Sequence, residues 1–278
     1  MSYDATHIVR LKDIKTLGNK FNSIVNTNNA AAHNSIYRGK NLGTTITAAQ
    51  SAAIRAGTFT DLYPGDYWQA QNPAFTWTDK DGVEHEYPAN TGATTYYVAG
   101  CNCLKMIKKD NITPVIGNHV IVCMYAHRQE RMNDTPSTEG GYANSEMATN
   151  TLLKYVALFK AIFGEEHIMK YGDWLCNSVT DGVESGYSWY ENREADLLSE
   201  EMVFGRRIQN KANSFSGISQ LPLFAFNYEL LCIGGMHSWL RDAISSTNYA
   251  CMKFNGGSTN LIANTTTYGV CNPFFLLN

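Results

Sequence analysis

Apolar and polar positions are patterned most clearly toward the end of the chain. Ser238-Trp239-Leu240-Arg241-Asp242 and Tyr249-Ala250-Cys251-Met252-Lys253-Phe254 are aromatic and aliphatic runs, followed by the turn residues Asn255-Gly256-Gly257-Ser258. Gly269-Val270-Cys271-Asn272-Pro273-Phe274-Phe275-Leu276-Leu277 completes the region. Runs of this kind between Gly, Asn and Ser clusters predict strand, strand, glycine turn, short strand and closing strand. An apolar closing strand is expected to be tied into a sheet, because loose termini are usually polar and poorly ordered.

The same reading extends upstream. Residues 5–25 predict a helix in which Leu11, Ile14, Phe21 and Val25 fall at a and d heptad positions, with Gly18 between them and Leu17 and Ile24 widening the stripe. The run is short for a coiled coil. It either packs on its own domain or associates with copies of itself or a larger assembly. Residues 26–34 are rich in Asn and Ala and predict a linker. Thr45 or Thr47 can cap a helix over 48–56 that Gly57 stops. Residues 74–87 predict a hairpin about Asp81-Gly82, 94–100 a strand, and the apolar run 119–125 a central strand. The loop from Arg131 to Asn144 leads into a helix capped near Ser145, whose buried face is Met147, Leu152, Val156, Phe159 and Phe163, with Gly164 closing it. Residues 167–179 read as strand-like and 194–203 as a second main helix. These elements predict an α+β fold. Residues 1–34 would form an N-terminal helix and linker, and 35–278 one globular domain with a mixed, twisted sheet.

Composition narrows the class. The 278 residues are 44% hydrophobic but only 17% charged, below the usual quarter, so the polar surface must come from Asn, Thr, Ser and Gly. A net charge of −3 provides no basic field for nucleic acid. No apolar run approaches the length of a membrane span, and Met1-Ser2-Tyr3-Asp4 does not read as the start of a signal peptide. The seven cysteines are an odd number. Cys123, Cys251 and Cys271 fall in predicted strands, and Cys101-Asn102-Cys103 is too close-set for an ordinary disulfide or a zinc knuckle. They read as reduced core residues, which suits assembly in a reducing cytoplasm.

Candidate chemistry is sparse. His119 and His127, with Asp134 and Glu139, do not match a zinc-site spacing. No phosphate-binding or dinucleotide-binding glycine pattern is present. No catalytic residue, metal ligand or cofactor site is therefore assigned. Tyr187, Trp189 and Tyr190, together with Asn255 and Ser258 in the glycine turn, suit polar surface recognition; the competing reading is that these residues fill contacts between subunits.

Several stretches resemble one family. Trp239-Leu240-Arg241 and Gly269-Val270 with Pro273-Phe274 are similar to the W-L-R and G-V-R-P-A-F elements of a C-terminal domain found in bacteriophage structural proteins and some bacterial surface proteins. Cys271-Asn272 stands where that family has its arginine. Arg38-Gly39-Lys40-Asn41-Leu42-Gly43, Gly57-Thr58-Phe59-Thr60-Asp61-Leu62-Tyr63-Pro64-Gly65-Asp66-Tyr67-Trp68, the Met132-Asn133-Asp134-Thr135 to Ser145-Glu146-Met147 loop, and Ser219-Gln220-Leu221-Pro222-Leu223-Phe224 resemble further motifs of the same proteins, from about Ser35 onward. The resemblance implies a C-type-lectin-like fold, the fold also of formylglycine-generating enzymes. It implies a non-enzymatic virion protein: a head fibre, decoration or tail-tip component, assembled in the host cytoplasm. Other virion proteins and a host-surface glycan or protein would be its partners, and Leu11, Ile14, Phe21 and Val25 would hold a homotrimer. The competing expectation is an enzyme on the formylglycine-generating fold.

Overall fold

The computed structural model describes residues 15–18, 20, 29–104, 117–125, 128–177, 179–180, 183–184, 186–209, 220–231 and 236–278. Its organising unit follows from two apolar runs. Strand β5 (Val120–Tyr125) is buried from Val120 to Met124, and β15 (Pro273–Leu277) is buried throughout. They pair antiparallel, with Phe275 opposite Val122. β1 (Tyr67–Asn72) and β4 (Asn90–Cys101) extend the sheet on one side and the short β10 (Asp196–Leu197) on the other, giving the order β1-β4-β5-β15-β10 with antiparallel pairing throughout.

The two-residue period of a strand sorts this apolar content into two cores. Val120, Val122, Met124, Phe275 and Leu277 face one cluster, while Ile121, Cys123, Phe274 and Leu276 face another. Over the first face lies a helix that begins with a π-helical segment, Met147–Thr151, and continues as an α-helix, Leu152–Phe163. Ser145 Oγ caps it by accepting from Ala148 N–H at 3.2 Å. Phe159 stacks on Phe275 with centroids 4.2 Å apart, and Tyr96 sets its edge against Phe159 and Phe163. The second core is closed by the short helices Glu200–Phe204 and Pro222–Phe226.

A second sheet, ordered β13-β12-β11-β14, is built from β11 (His237–Ala243), β12 (Asn248–Met252), β13 (Ser258–Ile262) and β14 (Gly269–Val270). Trp239, Tyr249 and Cys251 join the first core, and Leu240, Ala250 and Met252 the second. The remaining pairs are hairpins: β2 (Phe75–Thr78) with β3 (Glu84–Tyr87), β6 (Tyr171–Cys176) with β9 (Tyr187–Arg193), and β7 (Val179–Thr180) with β8 (Val183–Glu184).

The fold is mixed α+β, and the closing strands, the 74–87 hairpin and the 48–56 helix stand where their local signals put them. Thr47 forms a full capping box with Gln50, and Gly57 closes the helix Ala48–Ala56 in the left-handed conformation. Other expectations are corrected. The single mixed sheet is two sheets; mixing occurs only in the second, where β14 runs parallel to β11. The helix expected over 194–203 spans only Glu200–Phe204, because Asp196 and Leu197 pair with β15 and Ser199 supplies the N-cap. In the segment read as a linker, residues 29–34 are helical, Ala30 is buried, and Asn34 Oδ1 and Nδ2 bracket Cys101 N–H and C=O. Residues 165–167 form a 3₁₀ turn ahead of β6. Of the N-terminal helix, residues 15–18 and 20 are helical and exposed. The stripe Leu11, Ile14, Phe21 and Val25 lies outside the described residues.

Trp239 couples the second sheet to the first core. It is 1% exposed, its Nε1–H donates to Glu130 C=O at 2.7 Å, and its ring lies directly on Gly269. A Cβ on Gly269 would come within 2.1 Å of Nε1. Trp239→Ala should therefore lower stability by about 3–5 kcal/mol, the range for emptying a large aromatic site. Gly269→Ala should be destabilising although it adds only a methyl group, since it must displace the indole. Denaturant titrations of both variants check this; wild-type midpoints for either would show that the ring can move aside.

Candidate functional site

Trp189 and Tyr190 lie on β9, half-buried, and both rings are in contact with other residues of the chain. Trp189 is the cross-strand partner of Trp174, with ring centroids 5.6 Å apart, and covers Gly172. Its Nε1–H donates to Glu191 at 3.0 Å. Tyr190 packs on the first core and its hydroxyl donates to Asn177 Oδ1 at 3.4 Å. Tyr187 opens the same strand opposite Cys176.

Asn255 and Ser258 sit on the β12–β13 turn, in another sheet, and no hydrogen bond or ring contact joins them to β9 among the described residues. Asn255 is exposed, and its Oδ1 accepts from Gly257 N–H at 3.3 Å. Ser258 Oγ donates to Glu200 Oε1 at 2.9 Å. Glu200 is fully buried, and its carboxylate also accepts from the Ile208 and Gln209 N–H groups. Ser258 is thus held by the fold. The surface beside Asn255 is instead aromatic. Phe254 and Tyr268 are 49% and 55% exposed, with His237 between them at 6.0 and 6.3 Å. This triplet spans β11, the β12–β13 turn and the approach to β14. Its only signal in the sequence is the lone Phe254 ahead of the glycine turn.

The motif-bearing segments resolve into structural knots. Asp66, fully buried, accepts from Arg38 Nε and Nη2, from Lys40 N–H and from Tyr63 N–H at 2.6–2.9 Å. Lys40 and Arg38 also grip Asp61 and hold its carboxyl below the usual range. In the 132–147 loop, Asn133 donates to Ser137 C=O and accepts from Glu146 N–H, while Thr138 Oγ donates to Ser245 C=O at 2.6 Å. Gly141 has φ +73° and faces the Cys176 carbonyl so closely that a Cβ would lie 2.1 Å from it; only glycine fits both constraints. The Tyr142 hydroxyl accepts from Leu197 N–H, and Gln220 Nε2–H donates to Val203 C=O.

Charge is buried behind the second sheet. Arg241 donates to Asp173 at 2.5 Å, and Arg193 makes a two-point pair with Asp196, which also accepts from Tyr171. Burial pushes the Asp173 carboxyl up, and Arg241 pulls it back. The thiols of Cys251 and Cys271 are fully buried and pushed well above their ordinary value by desolvation. His119 is buried and driven down to about 4; its Nδ1 lies against Gly117 C=O. Asp134 pairs with Arg131, and His127 lies outside the described residues. Among the described residues, no cluster of three His, Cys, Asp or Glu side chains is placed to hold a metal ion, and no helix is long and apolar enough to cross a membrane.

Asp242 gives this region a pH dependence. Its Oδ2 accepts from Glu200 N–H at 2.6 Å, and burial, then the Glu200 charge, raises its pKa from 3.8 to about 7. The folded state binds this proton more tightly than the unfolded state. The group's favourable contribution is therefore complete below about pH 4 and is lost as pH rises to 7. Asp242→Asn keeps an acceptor and removes the titration. Its stability relative to wild type should rise between pH 4 and pH 8 by on the order of 2 kcal/mol, less than the full shift implies because Asp242 is only half-buried. A variant-minus-wild-type difference that stays flat across that pH series would show that Asp242 titrates normally.

Compared with known proteins, the chain matches no family model, no curated protein and no solved structure.

Proposed function

We propose that this chain is a non-enzymatic structural component of a bacteriophage particle, a head fibre, decoration or tail-tip element. In this reading a C-type-lectin-like unit is carried on an N-terminal oligomerising helix. The observation behind it is the use of the motif residues. Asp66, Asn133, Thr138 and Gln220 hydrogen-bond to the chain's own backbone or to one another's loops. These side chains are engaged in holding loops on the scaffold. Cys251 and Cys271, the thiols a formylglycine-generating type of chemistry would call on, are desolvated inside the core, where a thiol is inert. The recognition surface, contacting a host glycan or protein, would be Asn255 with the exposed rings of Phe254 and Tyr268.

Assembly is the point at which this reading is most exposed to test. A lone helix of the length predicted over 5–25 is marginal in water, so it needs a partner, and the stripe Leu11, Ile14, Phe21 and Val25 would supply a trimer seam. Removing residues 1–27 should leave a folded, soluble domain that runs as a monomer in light scattering where the full chain runs as a trimer. Ile14→Asp with Phe21→Asp should copy the deletion. An unchanged oligomer would place the contacts in the globular part. An antibody to the chain should also label gradient-purified particles, and its absence from them would overturn the virion reading itself.

A further inference from the structure

A depression of about 270 Å³ opens at the far end of β1 and β4, lined by Asn72, Asn90, Thr94, Tyr125 and Arg128 among others. Two of its polar groups are unanswered. Asn72 is only 3% exposed, yet its Oδ1 has no donor, and it stands where the β1–β4 register shifts. A bulge of this kind re-aims a side chain out of the regular ladder. Arg128 Nη1 is buried without an acceptor. The guanidinium lies over the rings of Tyr87 and Tyr155 at 5.2 and 5.8 Å. No carboxylate of the described residues pairs with it; its neighbour Glu130 is engaged by Lys154 and Tyr155. Two more deeply placed arginines differ: Arg193 and Arg241 each meet an aspartate.

A buried acceptor without a donor and a buried guanidinium nitrogen without an acceptor are both costly, and both residues line one cavity. We infer that this depression is a binding site for an acidic saccharide, with the sugar carboxylate on Arg128 and a ring hydroxyl donating to Asn72 Oδ1. The pairing of demands selects the class. Acetate answers the guanidinium but brings no hydroxyl to Asn72. A neutral sugar answers Asn72 and leaves the cation bare. A uronic acid carries both groups on one ring, and Tyr125 offers an aromatic wall for its C–H face. The volume lies just under the ~300–1,000 Å³ of pockets for drug-sized ligands, which suits a single ring. This site is separate from the Phe254–Tyr268 surface, and the inference does not depend on the chain belonging to a particle.

The test is saturation-transfer NMR and calorimetry on the full chain with D-glucuronate, D-glucose and acetate. Glucuronate should bind with a Kd on the order of 1 mM, as expected for one ring of about a dozen heavy atoms, and at least tenfold more tightly than either control. Arg128→Gln should weaken it tenfold or more, and Asn72→Leu several-fold. Because both positions are partly structural, Ala93→Trp provides an independent check. Ala93 is an exposed lining residue, and the indole would fill the depression from outside and abolish binding without touching the core. Absence of glucuronate binding to the wild type overturns the proposal. So does binding that survives both Arg128→Gln and Ala93→Trp, which would locate it elsewhere. Acetate binding as tightly as glucuronate would overturn the saccharide assignment.

Discussion

The structure depends on one insertion: the strand Pro273–Leu277 lying between Val120–Tyr125 and Asp196–Leu197. Its five side chains are all buried, and because they alternate, one strand supplies both cores. Phe275 is the platform for Phe159 and Tyr96, while Phe274 stacks on Tyr171. Remove this strand and the long helix, the second sheet and the short helices have no common surface to pack on. The hydrophobic term that holds the domain is concentrated there.

Around that seam the fold places charge with unusual economy. With only 17% charged residues, it nonetheless buries Asp66, Asp173, Asp196, Glu200 and Arg241. Each answers another group: Asp66 organises the turn after the Ala48–Ala56 helix, Asp173 and Arg241 link β6 to β11, and Glu200 holds the chain at Ile208 and Gln209. Such pairs add little net stability over an apolar replacement, but breaking one strands its partner in a medium of low polarity. They fix which loop goes where, and the surface is left to Asn, Thr and aromatic residues.

Much of this was legible because it is written locally. The Thr47 cap and Gly57 stop, the Asp81-Gly82 turn, the unbroken apolar run of Val120–Met124 and the strand-turn-strand rhythm after Ser238 each act within a few residues of themselves. What failed was decided at a distance. The run Ala195 to Val203 has helical spacing, but Asp196 is captured by Arg193 and Tyr171 and its backbone by the closing strand. Ser258 looks like an ordinary turn residue until Glu200 arrives beside it from another part of the chain. Phe254, His237 and Tyr268 meet only because β11, β12 and β14 are neighbours, and Asn72 and Arg128 only because β1 and β4 end beside β5. No spacing rule connects such pairs.

The closing strand also sets an order of events during synthesis. Residue 275 must find residue 122, so the middle of the main sheet stays open until residues 273–277 have been made. Hairpins such as Phe75–Thr78 with Glu84–Tyr87 close from neighbouring residues and can form early. The aromatic face of Leu152–Phe163 has nothing to cover it until residues 273–277 emerge. Distant pairing of this kind is slow and leaves apolar surface open to wrong partners in the interval. Pairing of residues 273–277 with residues 120–123 is thus the step that ends this exposure, by covering Phe159 and Phe163 with Phe275.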